Sequence, residues 1–286
     1  MIFYIYCLYH KDLHGFCMKV ISYLIALVFG IINFANAAEP KPWEMYFQPP
    51  VSPVMHAFYD FHNELMVIIT AITLFVTALL AYVMIRYNKK SNPVPNKFTH
   101  NVTVEVIWTV IPLFILAYIA VPSFKTLYMS DVTPKSEITL KVVGHQWYWE
   151  YIYPDMEGKD DIRFDSYMIK DEDLKEGQKR LLEVDNQVVL PVDTVVKILV
   201  TSADVIHSFA LPAFGLKTDA IPGRTNETWV KIEKPGVYYG QCSQLCGVNH
   251  AFMPIAIKAV SKEEYAEWLK TAKTKFSGSY NHASIK

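Results

Sequence analysis

Two apolar runs without a single charge constrain this chain more than any other feature. Leu65–Ile85 supplies 21 such residues and Val106–Phe124 supplies 19. At about 1.5 Å per residue, a helix made from either run reaches about 30 Å, the thickness of a bilayer core. Pro112 and Pro122 lie in the second run, which a membrane helix tolerates where neighbours re-satisfy the freed carbonyls. Between the runs stand Arg86, Lys89, Lys90 and Lys97, with no acid up to Val104. Short basic loops stay in the cytoplasm, so the runs are expected as a helical hairpin with both ends outside. Burial in a soluble core is the poorer reading, since two uninterrupted spans with basic flanks rarely occur there.

The N-terminus carries a third, shorter run. Val20–Phe34 follows Lys19 and closes on Ala35-Asn36-Ala37. A basic flank, a short apolar core and a small-x-small site mark an export signal, with cleavage expected after Ala37 and Met18 as an alternative start. Residues 1–37 are therefore assigned to the signal, 38–130 to the anchor, 131–262 to an exported domain and 263–286 to a terminal helix and tail. The net charge of −1 over 286 residues excludes the basic footprint of a nucleic-acid binder.

From about Lys135 the texture turns to short β-rich segments: 138–143, 180–184, 188–190, 194–201, 227–232, 237–241 and 255–260. Pro191, Pro212, Pro222-Gly223 and Pro235-Gly236 punctuate them. Several short strands at close spacing predict a sandwich or barrel. Ser261 with Glu264 three residues on forms a capping box, predicting a helix over 262–273 that packs Tyr265 and Trp268.

Export would remove Cys7 and Cys17, leaving Cys242 and Cys246 as the mature chain's thiols, with His250 and Met253 close behind. Soft sulfur with borderline nitrogen is a ligand set that suits copper better than hard cations. A disulfide between the thiols would close only a very small loop and leave His250 and Met253 unexplained. One more imidazole would complete the set. Among His56, His62, His100, His145, His207, His250 and His282, the best placed is His207, in a loop after the apolar strand Val195–Thr201. Taken alone, a histidine in such a place is more often a hydrogen-bonded structural residue than a ligand, and the cluster downstream reverses that balance.

The segments Gly144–Trp149, Phe164–Ile169, Leu182–Asn186, Gly215–Arg224 and Tyr239–Pro254 together resemble subunit II of cytochrome c oxidase, in order from Phe58 to Val260. The resemblance implies an N-terminal transmembrane α-helical hairpin plus an all-β cupredoxin-like Greek-key barrel carrying dinuclear copper, CuA. It implies Cys242 and Cys246 as bridging thiolates, and His207 and His250 as one ligand to each copper. Met253 would be a weak axial ligand and the backbone carbonyl of Gln244 the remaining one. The family usually has Glu at position 244, whose carboxylate also binds magnesium. An uncharged amide holds a hard cation less well, so a weakened or altered magnesium site is expected.

By the same resemblance Trp147 is an exposed indole that takes electrons from cytochrome c. Residues 150–173 around it hold the acids Glu150, Asp155, Glu157, Asp160, Asp161, Asp165, Asp171, Glu172 and Asp173 against Lys159, Arg163 and Lys170, a net −6. Such a cluster can steer a basic partner, although charge runs are often plain solvated faces. Glu105, implied as the mouth of a proton path continued in subunit I, reads from sequence alone as a carboxylate snorkelling to water.

Three functions follow from these expectations. One is the electron-accepting subunit of a membrane oxidase, working with subunit I and other oxidase subunits, in which subunit I performs the oxygen chemistry and the coupled proton pumping. Another is a copper-free quinol-oxidase subunit of the same shape, and the third a carrier of one labile copper. The chain has no Cys-x-x-Cys-His for haem attachment. The export signal points to a bacterial plasma membrane with the copper domain in the periplasm; the mitochondrial inner membrane is the equivalent place.

Overall fold

Helix α1 spans Pro53–Arg86 and α2 spans Val102–Asp131, so both charge-free runs lie inside longer helices. The computed structural model describes residues 36–154 and 161–276; the expected signal peptide, but for its last two residues, lies outside them. Both helices are long and apolar enough to cross a membrane. Leu74, Phe75, Leu113 and Phe114 stand exposed along them, as lipid-facing side chains would.

The cap of α1 also docks it. Ser52 has an extended backbone and its hydroxyl accepts from the Met55 N–H at 3.0 Å, while Pro53 occupies a first-turn position that needs no N–H. The same hydroxyl donates to the Phe214 carbonyl at 2.7 Å. His56, one turn on, meets Glu233 at 3.0 Å. At the far end of α2 the Met129 carbonyl accepts from the Trp229 indole at 3.3 Å. The outer turns of the hairpin are thus fastened to the domain that follows.

That domain is two packed sheets. Its strands are β1 (Ile138–His145), β2 (Tyr148–Tyr153), β3 (Ile162–Ser166), β4 (Val188–Pro191), β5 (Val195–Ser202), β6 (His207–Leu211), β7 (Leu216–Ala220), β8 (Asn226–Lys231), β9 (Gly236–Cys242) and β10 (Pro254–Val260). One sheet runs β3-β2-β1-β5-β8 and the other β4-β10-β9-β6-β7. Pairing is antiparallel except for β1 with β5 and β4 with β10, which are parallel. The architecture is the expected cupredoxin-like one.

Alternation explains the core. Val196, Ile198 and Val200 of β5 are buried while Val195, Lys197 and Leu199 between them are less so, the period of two of a strand with one face inward. Opposite them lie Phe209, Tyr238, Ile255 and Ile257, all buried. Trp149 meets Phe209 edge-on, with centroids 5.3 Å apart at 80°, a favoured aromatic geometry. Each such burial is worth about 1.5–3 kcal/mol.

Two strand expectations need correction. The segment 180–184 is not a strand; only an isolated bridge, Met168 with Val184, touches it. Leu181 sits at φ 64°, which breaks an extended run. The Glu183 carboxylate, buried, accepts instead from Tyr239 and Gln187 at 3.1 and 3.0 Å. His207 is not in a loop; it opens β6. The C-terminal helix α3 covers Lys262–Phe276. Its capping box is present, Ser261 and Glu264 exchanging hydrogen bonds of 3.2 and 3.1 Å. Tyr265 is buried and Trp268 packs on Tyr153 at 5.2 Å.

Candidate metal centre

Strand pairing brings the two halves of the cluster together. Cys242 ends β9 opposite Phe209 of β6, and Ser243 N donates to the Ser208 carbonyl at 3.0 Å. The start of β6, and so His207, therefore lies beside the end of β9. The strands need Gly240 to come this close, because a Cβ there would lie 2.0 Å from the Ala210 carbonyl oxygen. The chain then loops out from Ser243 and returns as β10, with the Cys242 N–H donating to the Met253 carbonyl at 3.3 Å. Gly247 turns that loop at φ 124°, a region open to glycine and strained for other residues. The Trp149 indole holds the return point from within the core, donating to the Met253 carbonyl at 3.2 Å.

The other four predicted donors gather around the two cysteine sulfurs. Cys242 Sγ and Cys246 Sγ are 3.8 Å apart, far beyond the about 2.05 Å of a disulfide, and both thiols are free. The disulfide alternative is thereby corrected. His207 Nδ1 lies 4.0 Å from Cys242 Sγ, and His250 Nδ1 lies 3.6 Å from Cys246 Sγ. Met253 Sδ is 3.6 Å from Cys246 Sγ, and the Gln244 carbonyl oxygen is 3.3 Å from Cys242 Sγ. The ligand atoms of His207, Cys242 and Cys246 lie within 4.8 Å of one another and are buried. Two thiols, one imidazole and a thioether that are buried, with the half-buried His250 imidazole and the Gln244 carbonyl, make a set that fits copper.

The two thiols differ in acidity. Burial opposes ionisation of Cys242, but the hydrogen bond with His207 and backbone contacts at Gln244 and Ser208 outweigh it and hold the thiol below its ordinary value. Burial, and then the charge on Cys242, push Cys246 up.

Four residues that were not assigned a role from sequence shape the site. Asp204 Oδ1 lies 2.8 Å from His207 Nε2, so the outer nitrogen is held by a carboxylate and Nδ1 is left facing the thiols. Burial works against the Asp204 charge, yet hydrogen bonds with His207, Val205 and Gln146 hold its carboxyl below the usual value. Gln146 donates from its side-chain amide to the Cys246 carbonyl at 2.8 Å and from its backbone N–H to Asp204 Oδ2 at 2.7 Å. Gly144 makes room for the imidazole, since a Cβ there would lie 2.8 Å from His207 Cδ2. A Cβ on Gly247 would press within 3.0 Å of the Trp147 ring. The signals in sequence were position alone: Asp204 precedes His207 by three, and Gly144, Gln146 and Gly247 lie within the motifs Gly144–Trp149 and Tyr239–Pro254.

The expected partner surface is changed in part. Trp147 is half-buried rather than fully exposed, and its Nε1 donates to the Cys246 carbonyl at 3.3 Å. Glu150 is not a surface acid: it is 6% exposed and ion-paired with Arg163 at 3.0 Å and His145 at 3.3 Å. It lies on the face of β2 opposite the core residues Trp149 and Tyr151, where Arg163 and His145 cover it, so its charge is answered locally. Asp161, Asp171, Glu172 and Asp173 are exposed and Asp165 is half-buried; Asp155, Glu157 and Asp160 lie outside the described residues. The Gln244 side chain is exposed. Glu105 is half-buried in the first turn of α2, behind the Asn101 cap.

Family models describe the chain in two parts. Residues 40–126 match the transmembrane domain of cytochrome c oxidase subunit II, and residues 138–260 match its periplasmic domain. A probable cytochrome c oxidase subunit 2 of Rickettsia felis is 56% identical over 257 residues, 89% of this chain and 81% of that protein. Cytochrome c oxidase subunit 2 of Zea mays is 46% identical over 249 residues, 86% of this chain and 95% of that protein. Among solved structures, the periplasmic domain of subunit II from Bradyrhizobium japonicum is 58% identical, covering 51% of this chain and 99% of that one, with a TM-score of 0.46. The two family models and these relatives agree along the hairpin and the β domain alike, and the chain belongs to the cytochrome c oxidase subunit II family.

Proposed function

We propose that this subunit takes electrons from cytochrome c at the face around Trp147 and delivers them towards subunit I through a dinuclear copper centre. His207, Cys242, the Gln244 carbonyl, Cys246, His250 and Met253 would hold it. When bound, the copper pair supplies a one-electron carrier. The observation that supports this most is the convergence of the other four donors on two free, buried thiols 3.8 Å apart.

The chain's own part is to hold the donors still. Asp204 fixes the ring of His207, and Trp149 fixes the return of the loop. His207 and Cys242 sit at strand ends, and donors held by fixed partners keep one geometry in both redox states, which favours fast electron transfer. The Trp147 indole reaches from the partner face to the Cys246 carbonyl. The exposed acids Asp161, Asp171, Glu172 and Asp173 would steer a basic cytochrome.

The Gln244 amide would leave any magnesium site at the subunit I contact weakened, since it lacks the charge of a carboxylate. Glu105 would take up protons at the mouth of a path in subunit I. The basic loop between α1 and α2 would face the cytoplasm, with the β domain in the periplasm. The test is ferrocytochrome c oxidation by the assembled oxidase carrying Cys246→Ser. Loss of copper together with loss of oxidation is expected; retention of both copper and rate would overturn the reading.

A further inference from the structure

We infer that Gln146 is a positioning residue for electron uptake, setting where Trp147 stands against the metal loop. The inference rests on the proposal that Trp147 is the port. Two donors from adjacent residues share one acceptor: the Gln146 amide at 2.8 Å and the Trp147 indole at 3.3 Å both reach the Cys246 carbonyl. A carbonyl oxygen has two lone pairs and can satisfy both. The shorter bond belongs to Gln146, and the indole contact is the longer one. The amide nitrogen, not its oxygen, must face Cys246, because a carbonyl offers no hydrogen to accept.

The other end of Gln146 is fixed as well. Its backbone N–H donates to Asp204 Oδ2 at 2.7 Å, and Asp204 Oδ1 holds His207 Nε2 at 2.8 Å. One residue therefore bridges both ligand-bearing segments, that of His207 through Asp204 and that of Cys246 directly. Gly247 closes the arrangement, since a Cβ there would lie 3.0 Å from Trp147 Cζ2 and 3.1 Å from Gln146 Nε2. Both side chains thus lie against the same bare stretch of backbone. Without the amide the indole keeps one long hydrogen bond and no neighbour that fixes the carbonyl it uses.

The test uses the assembled, copper-loaded oxidase carrying Gln146→Met, which keeps the length of the side chain and removes its donor. Compared with it are Trp147→Phe and the double variant. The turnover number with cytochrome c should fall several-fold in Gln146→Met with KM unchanged, copper content and spectrum should stay normal, and the double variant should be no slower than Trp147→Phe. Separately, the indole N–H signal of Trp147 in the metal-free full chain in micelles, labelled with nitrogen-15, should move in Gln146→Met. A raised KM, or a loss that adds to that of Trp147→Phe, would make Gln146 a docking contact and overturn the inference, as would an unmoved indole signal. If Trp147→Phe is slow while Gln146→Met is normal, only the positioning role falls. If Trp147→Phe is normal, the port and the positioning role fall together.

Discussion

The indole Nε1 of Trp147 donates to the carbonyl oxygen of Cys246 at 3.3 Å, joining the β1–β2 turn to a loop 99 positions later. On the proposed function, the bond would give the face that meets cytochrome c a direct contact with a donor-bearing residue. Trp147→Phe keeps an aromatic ring but loses that bond. Stopped-flow mixing with reduced cytochrome c should show electron uptake slowed at least several-fold, with copper content normal. An unchanged rate would remove Trp147 from the path.

Gly144 is required by its neighbour rather than by its backbone angle. In Gly144→Ala the new methyl would lie 2.8 Å from His207 Cδ2, and the imidazole, fully buried, has little room to retreat. Overpacking of this kind costs about 1–3 kcal/mol. Thermal denaturation of the metal-free chain should show a lower midpoint, and the assembled variant should hold less copper. Normal values of both would mean that the strand can shift without cost.

On the proposed ligand set, Asp204 would act on the metal through His207. In Asp204→Ala the ring loses the carboxylate 2.8 Å from Nε2, and partners of this kind are worth about 10–100-fold in metal affinity. Competition with a copper chelator should show weakening in that range, and Asp204→Asn should lose less because an amide oxygen still accepts. Equal affinity in all three proteins would show that His207 is oriented by burial alone.

Glu105 stands in the first turn of α2, far along the chain from the β domain. Glu105→Gln in the assembled oxidase should slow turnover through proton uptake while leaving the copper spectrum as it was. A normal turnover number would return Glu105 to an ordinary carboxylate at the end of a helix.

The hairpin and the donor cluster were legible because each is local. A run without charge from Leu65 to Ile85 has one economical fate, and Cys242, Cys246, His250 and Met253 share one loop. His207 was legible only as the best of seven histidines; its neighbourhood with Cys242 comes from β6 pairing with β9, which no local pattern in His207–Leu211 announces. Glu150 misled because a charge count does not see pairing: on the outer face of its sheet the residue is covered by Arg163 and His145 from the neighbouring strands. The segment 180–184 misled because Leu181 adopts a left-handed angle and Glu183 is needed as a buried acceptor. Gln146 escaped notice because its role is hydrogen bonds across 58 and 100 positions of chain, to Asp204 and to Cys246, whereas Asp204 stands three residues from His207 and its spacing carries no signature of its own.

The most direct measurement is the copper content of the purified subunit in its oxidase, taken together with its electron paramagnetic resonance spectrum. Two coppers held by this subunit, giving a seven-line mixed-valence signal that disappears in Cys242→Ser, is the predicted result. A single copper with a four-line signal, or none, would contradict the dinuclear centre.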